Sequence, residues 1–274
     1  PRLSSRELPQ VLASKARLVA EACAAAAVRA DTVLIRDLAA DIEWSKANGF
    51  GPADVLDDRV VRQWCTDVDT VVRVYQAYED AKSRRHLIDF EDVLLILAQI
   101  LDTSPGIADE VRSAYRWFTV DEYQDVNPIQ QRLLGLWLGD RDDLCVVGDV
   151  SQTIYSFTGA TSDYLTGFME RFPDATQVRL VNCYRCSGPI VDLANAVIDQ
   201  APQPGTLHLR ARRSAGPAPT ITAFDDDVEE AAAIAEHLSR VLASGTKARD
   251  IAVLVRVNSQ TAELEAALAD RGIP

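Results

Sequence analysis

Apolar residues recur at three- and four-residue spacing through the first third of the chain. They then gather into short runs that end in acid. Val11 to Ala30, rich in Ala, Leu and Val with Lys15, Arg17, Glu21 and Arg29 interspersed, predicts a helix. Asp31 to Ala47 predicts a second, with Asp31 as its N-cap. Asn48-Gly49-Phe50-Gly51-Pro52 is a break. Asp57 to Arg84 predicts a third helix, with Val60, Val61, Trp64, Val68, Val71, Val72, Tyr75 and Tyr78 at helical spacing. Aromatic residues in such a stripe read as core packing. Ile88-Asp89-Phe90-Glu91-Asp92 then opens an apolar helix over Val93 to Leu101. Capping by Asp89, with Glu91 and Asp92 in the first turn, is enough to account for these acids. Ser104-Pro105-Gly106 reads as a turn, and a short helix is expected to lead from it into the next segment.

Beyond this point the pattern changes. Trp117-Phe118-Thr119-Val120 runs into Asp121-Glu122-Tyr123-Gln124-Asp125, and Leu144-Cys145-Val146-Val147 runs into Gly148-Asp149. Short β-rich runs between helical segments predict buried strands of a parallel sheet, whose ligands gather beyond the strands' carboxyl ends. Gly159 to Asp163 reads as a loop, followed by a helix through Phe172. Strands are expected over Thr176 to Val181, Thr220 to Phe224 and Ile251 to Val255, and a loop over Ala201 to Ala218. Helices are expected over Pro189 to Ile198, Val228 to Ala243 and Thr261 to Asp270. Strands alternating with helices from about residue 87 onward predict an α/β fold with a parallel sheet.

Bulk properties change this picture little. A chain of 274 residues, 47% apolar and 25% charged, is ordinary for a globular protein. No apolar run is long enough to span a bilayer, so no membrane partner is expected. Five cysteines form no regular framework, which points to a reducing, cytoplasmic compartment. Cys183 and Cys186 have CxxC spacing but no second pair to complete a zinc site. A net charge of −13 argues against a simple nucleic-acid coat. Arg84-Arg85-His86 and Arg210-Ala211-Arg212-Arg213 are local basic clusters, or simply solvated loops. The chain opens on Pro1 and stops on Gly272-Ile273-Pro274 directly after a helical pattern, as an internal fragment would.

The acid-ended runs carry the candidate chemistry. Magnesium takes hard oxygen ligands, usually one or two carboxylates plus phosphate oxygens, which an Asp121 at a strand end suits. Glu122 beside it can polarise a water for in-line attack on a terminal phosphoryl group. Acidic turns after strands are common, so this pair alone is a weak signal. The second run adds Asp149 and Gln152, the latter able to bridge a water or a phosphate oxygen. Tyr155 and Phe157 follow, able to stack on the bases of a single strand or to fill a core. Arg185 follows another strand and is either a charge donor to a phosphoryl transition state or an ordinary ion-pair partner.

Taken together, these segments resemble UvrD/Rep/PcrA-like superfamily I DNA helicases. Val120 to Asp125 is similar to the family's magnesium-binding motif, and Val146 to Ala160 to the next motif, which links ATP to single-stranded DNA. Tyr184-Arg185 is similar to the YR motif of the second motor domain, and Ile88 to Asp92 to a DFxDL-type segment. Asp250 to Pro274 is similar to a DIAVLxRxNxQ…LExAL…GIP pattern. The resemblance implies partial P-loop NTPase (RecA-like) motor domains with parallel sheets, plus an N-terminal all-helical insertion. The insertion would span 1–86, the later part of the first motor domain 87–175, and the first part of the second 176–274.

It further implies ATP and Mg²⁺ as cofactors, with Asp121 as metal ligand, Glu122 as general base and Gln152 as sensor of the terminal phosphate. Arg185 would be the arginine finger and Tyr184 would stack on adenine. Tyr155, Phe157, Arg256 and Asn258 would contact DNA. The implied activity is ATP-dependent 3′→5′ movement on single strands or at single/double-strand junctions, in DNA repair. Two alternatives stand beside it: the motor part of a helicase–nuclease subunit, and a non-catalytic DNA-binding relative. Thr158 stands where many relatives have a basic residue, and Cys183 and Cys186 where Asn and Ser are common. No GxxxxGK[ST] occurs in the chain. The 274 residues alone are therefore expected not to turn over ATP.

Overall fold

The computed structural model describes residues 8–57, 59–213 and 216–273. Pro1 and Pro274, the ends of the first and last expected domains, lie outside them. The chain divides into two compact units: Pro1–Cys186 with Ala194–Arg213, and Ser187–Leu193 with Ser214–Pro274.

The first unit opens with a short strand β1 (Gln10–Val11) and three helices, α1 (Ala16–Ala25), α2 (Thr32–Ala47) and α3 (Val68–Arg85). The Asp31 carboxylate accepts from Leu34 N at 2.8 Å, satisfying one orphan amide of α2 as expected. Val19, Leu38, Ile42, Val71, Val74 and Tyr78 bury one common core among these helices. The aromatics Tyr75 and Tyr78 are core residues, as their spacing predicted. The third helix starts later than its apolar pattern does. Asp67 caps it by accepting from Thr70 N at 2.9 Å, and this side-chain cap fixes the first turn. Upstream, Trp64 instead packs edge-on against Trp44, with the Arg62 guanidinium 4.6 Å from the Trp44 ring.

His86, in the left-handed region at φ 52°, ends α3 and turns the chain into β2 (Leu87–Ile88), which pairs in parallel with β1. Helix α4 (Phe90–Thr103) follows, begun by a capping box between Asp89 and Asp92. The expected turn at Ser104-Pro105-Gly106 is the start of α5 (Pro105–Ala114), because Pro105 at its first position has no amide to lose. Two acid-ended strands come next, β3 (Phe118–Val120) and β4 (Leu144–Val146), joined by α6 (Pro128–Leu138). They pair in parallel, Phe118 aligned with Leu144 and Val120 with Val146. The ring of Trp137 on α6 stacks on Phe118 at 6.1 Å and covers one face. Thr119 and Cys145 point to the other face and are exposed, so these strands are buried on one side rather than two.

The expected helix through Phe172 is broken at Gly167 into α7 (Asp163–Thr166) and α8 (Phe168–Arg171). The expected strand over Thr176 to Val181 is not formed. Pairing starts one residue later, between β5 (Asn182–Cys183) and β6 (Arg210–Ala211), inside the stretch expected to be all loop. Asn195, on α9 (Gly188–Ile198), fixes this pair by donating to Leu209 O at 3.0 Å and accepting from Leu209 N at 3.1 Å.

In the second unit, α10 (Asp227–Ala243) is capped by Asp226, and α11 (Thr261–Asp270) occupies the expected span. The apolar runs Thr220 to Phe224 and Ile251 to Val255 form no strand. Strands need a hydrogen-bonded neighbour, and neither run has one among the described residues. Leu254 and Ile221 are consequently 93% and 89% exposed. No helix among the described residues is long and apolar enough to cross a membrane.

Candidate functional site

The two acid-ended strands deliver their carboxylates to one edge. Val147 N donates to Val120 O at 2.8 Å, and Tyr123 N donates to Val147 O at 2.9 Å, so the parallel ladder continues past the strand ends. The chain then turns sharply. Glu122 sits in the left-handed region at φ 52°, ψ 41°, a conformation costly for a side chain with a Cβ. The turn holds because the Asp121 carboxylate accepts from Glu122 N at 3.0 Å and a 3₁₀ turn over Tyr123–Asp125 follows at once. Tyr123 is buried and donates to Gln131 Oε1 at 2.6 Å, anchoring the turn to α6.

Both Asp121 and Glu122 are exposed. Among the described residues, no Lys or Arg forms an ion pair with Asp121, Glu122, Asp125 or Asp149. Uncompensated carboxylates on one open edge are the donor set a hard cation takes. On the second strand, the Asp149 carboxylate accepts from Ser151 N at 3.0 Å and from Gln152 Nε2 at 2.9 Å. Gln152 is thereby held beside Asp149, and both belong to the Glu122 cluster.

Sequence reading missed the residue that joins the two strands. Gln124 is fully buried. Its amide nitrogen donates to Glu122 Oε2 at 2.8 Å, and its carbonyl oxygen accepts from Asp149 N at 3.0 Å. The only signal for it was its place between Glu122 and Asp125 in the acidic run.

Tyr155 and Phe157 do not fill a core. They are 48% and 64% exposed, with ring centroids 6.1 Å apart. The turn that carries them rests on the end of α2: a Cβ on Gly159 would lie 2.9 Å from Asn48 Nδ2 and 3.3 Å from Ala47 Cβ. Ile154 N donates weakly to Asp125 Oδ1 at 3.4 Å, linking the aromatic turn to the acidic one.

Tyr184 and Arg185 are also exposed, just after β5. Arg213 Nη1 donates to Arg185 O at 2.9 Å, which engages one basic-cluster residue with the YR backbone. Among the described residues, no hydrogen bond or ion pair joins the Arg185 guanidinium to Asp121, Glu122 or Gln152. In the second unit, Gln260 Oε1 accepts from Arg256 N at 3.0 Å and Val257 N at 3.1 Å, shaping the turn that presents Arg256 and Asn258 to solvent.

A second charged cluster was not anticipated. The Asp89 carboxylate is buried and takes Lys46 Nζ at 2.8 and 2.7 Å, Lys82 Nζ at 3.0 Å, Tyr78 Oη at 2.9 Å and Asp92 N at 2.9 Å. Asp92 also receives both ammonium groups, and Glu79 Oε1 lies 2.9 Å from Lys82 Nζ. Glu79, Asp89 and Asp92 cluster at metal-ligand spacing, but the two lysines supply the positive charge there. The signal was present: Lys46 follows Ile42 by four residues and Lys82 follows Tyr78 by four, placing both on apolar stripes.

Comparison with known proteins gives the family. Residues 10–173 match the UvrD/REP helicase N-terminal domain, and residues 178–274 match the UvrD-like helicase C-terminal domain. The chain is 44% identical over 272 residues to ATP-dependent DNA helicase UvrD2 of Mycobacterium tuberculosis, covering 96% of this chain and 39% of that protein. It is 30% identical over 231 residues to DNA helicase II of Haemophilus influenzae, covering 84% of this chain and 31% of that protein. ATP-dependent DNA helicase UvrD1 of Mycobacterium bovis is 34% identical over 215 residues, 74% of this chain and 28% of that protein. The chain thus spans about two fifths of the length of the UvrD2 relatives. With both family domains matched in order along its length, the chain belongs to the UvrD-like helicase family.

Proposed function

We propose that this chain carries the hydrolytic edge and part of the single-strand contact surface of an ATP-dependent DNA helicase that translocates 3′→5′ in DNA repair. One observation carries the reading: the Gln124 amide ties Glu122 to Asp149, which in turn holds Gln152 at 2.9 Å. Base, carboxylate and phosphate-facing amide thus share one open edge.

In this reading, Asp121 and the neighbouring exposed carboxylates hold Mg²⁺. The ion, when bound with ATP, supplies neutralisation of phosphate charge. Glu122 orients and deprotonates the attacking water, and its position outside any ion pair keeps the carboxylate available as an acceptor. Gln152 presents an amide to the terminal phosphate. Tyr155 and Phe157 offer two faces to successive bases, and Arg256 and Asn258 offer polar contacts to DNA from the second unit. Arg185 supplies positive charge to the transition state, and Tyr184 stacks on the adenine base. The expected parts, 1–86, 87–175 and 176–274, correspond to a helical insertion and portions of two RecA-like motor domains.

The test is Glu122→Gln in the full-length protein. ATP hydrolysis should fall by at least 10³-fold while single-strand affinity stays within about threefold, the signature of a lost base. Normal hydrolysis in that variant would remove Glu122 from the role.

A further inference from the structure

Gln124 is buried behind the solvent-facing edge, yet all its amide capacity is directed at groups on that edge. Its Nε2 donates to Glu122 Oε2 at 2.8 Å and, more weakly, to Asp125 Oδ2 at 3.3 Å. Its Oε1 accepts from Asp149 N at 3.0 Å. The Gln124 side chain is fully buried, so its amide has no water to turn to when these bonds are lost, and losing them costs more than losing surface bonds would.

Two further features point to the same contact. Glu122 holds a left-handed backbone at φ 52°, a strained conformation that persists only where surrounding contacts hold it. The amide of Gln124 supplies one. The opposite wall is Gly148, where a Cβ would lie 2.7 Å from Gln124 Oε1 and 3.2 Å from Gln124 N. Any side chain at 148 would therefore push the amide out of place.

We propose that Gln124 is a positioning residue for hydrolysis. It aims the Glu122 carboxylate and, through the Asp149 backbone, sets the register between Glu122 and Gln152. Asp125, which Gln124 also contacts, accepts from Ile154 N at 3.4 Å at the head of the aromatic turn, so the same amide lies on the connection between hydrolytic edge and base-stacking surface. This inference rests on reading Glu122 as the base.

The test compares four variants of the full-length protein by single-strand-stimulated ATPase, with melting temperature and single-strand affinity measured alongside. Gln124→Met keeps the volume and removes both hydrogen-bonding ends. It should lower kcat by 10- to 100-fold with KM for ATP and single-strand affinity within threefold. Gln124→Glu keeps the shape but faces Glu122 with a second carboxyl. It can no longer donate to Glu122, and should lower kcat at least as far as Gln124→Met with KM for ATP within threefold. Gly148→Ala should reproduce the kcat loss from the other side, and its effect should not add to that of Gln124→Met. Glu122→Gln serves as the reference. If it abolishes hydrolysis while Gln124→Met and Gln124→Glu both keep kcat within twofold, the positioning role is overturned alone. If Glu122→Gln hydrolyses ATP normally, the base assignment and this inference fall together.

Discussion

Lys46 Nζ lies 2.8 and 2.7 Å from the two oxygens of Asp89, both residues buried, and 43 positions of chain separate them. That single contact pins α2 to the start of α4, and Lys82 repeats it from α3 at 3.0 Å. The acid that caps α4 is thereby also the electrostatic centre of the helical region.

Removing Asp89 should be far worse than losing a helix cap. Asp89→Ala leaves two buried ammonium groups short of a counter-charge, a defect of about 3–5 kcal/mol, against about 1 kcal/mol for a cap alone. Urea titration followed by tryptophan fluorescence of Trp44 and Trp64 measures it. A loss near 1 kcal/mol would mean that Asp92 and Glu79 suffice to hold the lysines.

The pH dependence follows from the same cluster. Burial acts to raise the Asp89 pKa, but the Lys46 and Lys82 charges overcome it and hold the carboxyl far below the ordinary range. A depressed carboxyl contributes stability above its unfolded value of about 3.9, lost as pH falls through the folded value. Burial likewise acts to lower Lys82, but the Asp89 charge and the hydrogen bonds that Lys82 donates to Asp92 and Glu79 raise it above the usual lysine range. That share is complete below about pH 10.4 and lost as pH rises through the folded value. Denaturation midpoints of wild type minus Asp89→Asn should therefore be flat from about pH 5 to 10 and narrow outside it.

Thiol chemistry should separate the cysteines. Backbone amides of Cys186 and Arg185, with the Arg185 charge, lower the Cys183 thiol, whereas desolvation and the nearby Asp41 push Cys65 up to about 12. Burial also raises Cys23. At pH 7.5, iodoacetamide should alkylate Cys183 ~10-fold or more faster than Cys65, read by peptide mass spectrometry over time.

Tyr155 and Phe157 should act as stacking faces. Phe157→Ala in the full-length protein should weaken single-strand binding by ~1–3 kcal/mol with little dependence on base sequence. Fluorescence anisotropy with dT and mixed-sequence oligonucleotides measures it. Loss confined to one sequence would indicate hydrogen-bond readout instead.

Gly159 should tolerate no side chain. Its φ of +96° already strains any L residue, and a Cβ would meet Asn48 Nδ2 at 2.9 Å. Gly159→Val should destabilise by ~1–3 kcal/mol and also reduce single-strand affinity by displacing Tyr155 and Phe157. Thermal melting and anisotropy on the same preparation report both effects.

Helices α2 and α4 and both acid-ended strands were legible because each rests on local signals. Asp31 and Asp89 cap where their spacing says they should, and Val120 and Val147 place Asp121 and Asp149 on one edge. The failures share a different cause. Ile251 to Val255 has the pattern of a strand, but pattern fixes propensity while pairing needs a neighbour, and none is present among the described residues. Arg210–Ala211 pairs inside a Pro- and Gly-rich stretch because Asn195 organises the backbone just before it, a contact spanning 14 residues. Spacing puts Lys46 on an apolar stripe and Gln124 inside the acidic run, but the partners that give them their roles, Asp89 43 residues on and Asp149 25 residues on, leave no local trace.

The seat of the aromatic turn on Asn48 bears on which parts of the chain can vary in length. A surface loop ordinarily absorbs an added residue by bulging into solvent. The 48–52 break looks equally permissive by its glycines and proline. Yet Asn48 is both the end of α2, donating to Trp44 O at 2.8 Å, and the floor beneath Gly159. Lengthening the chain there would tilt that floor, so this apparently slack connector sets the height at which the two rings stand.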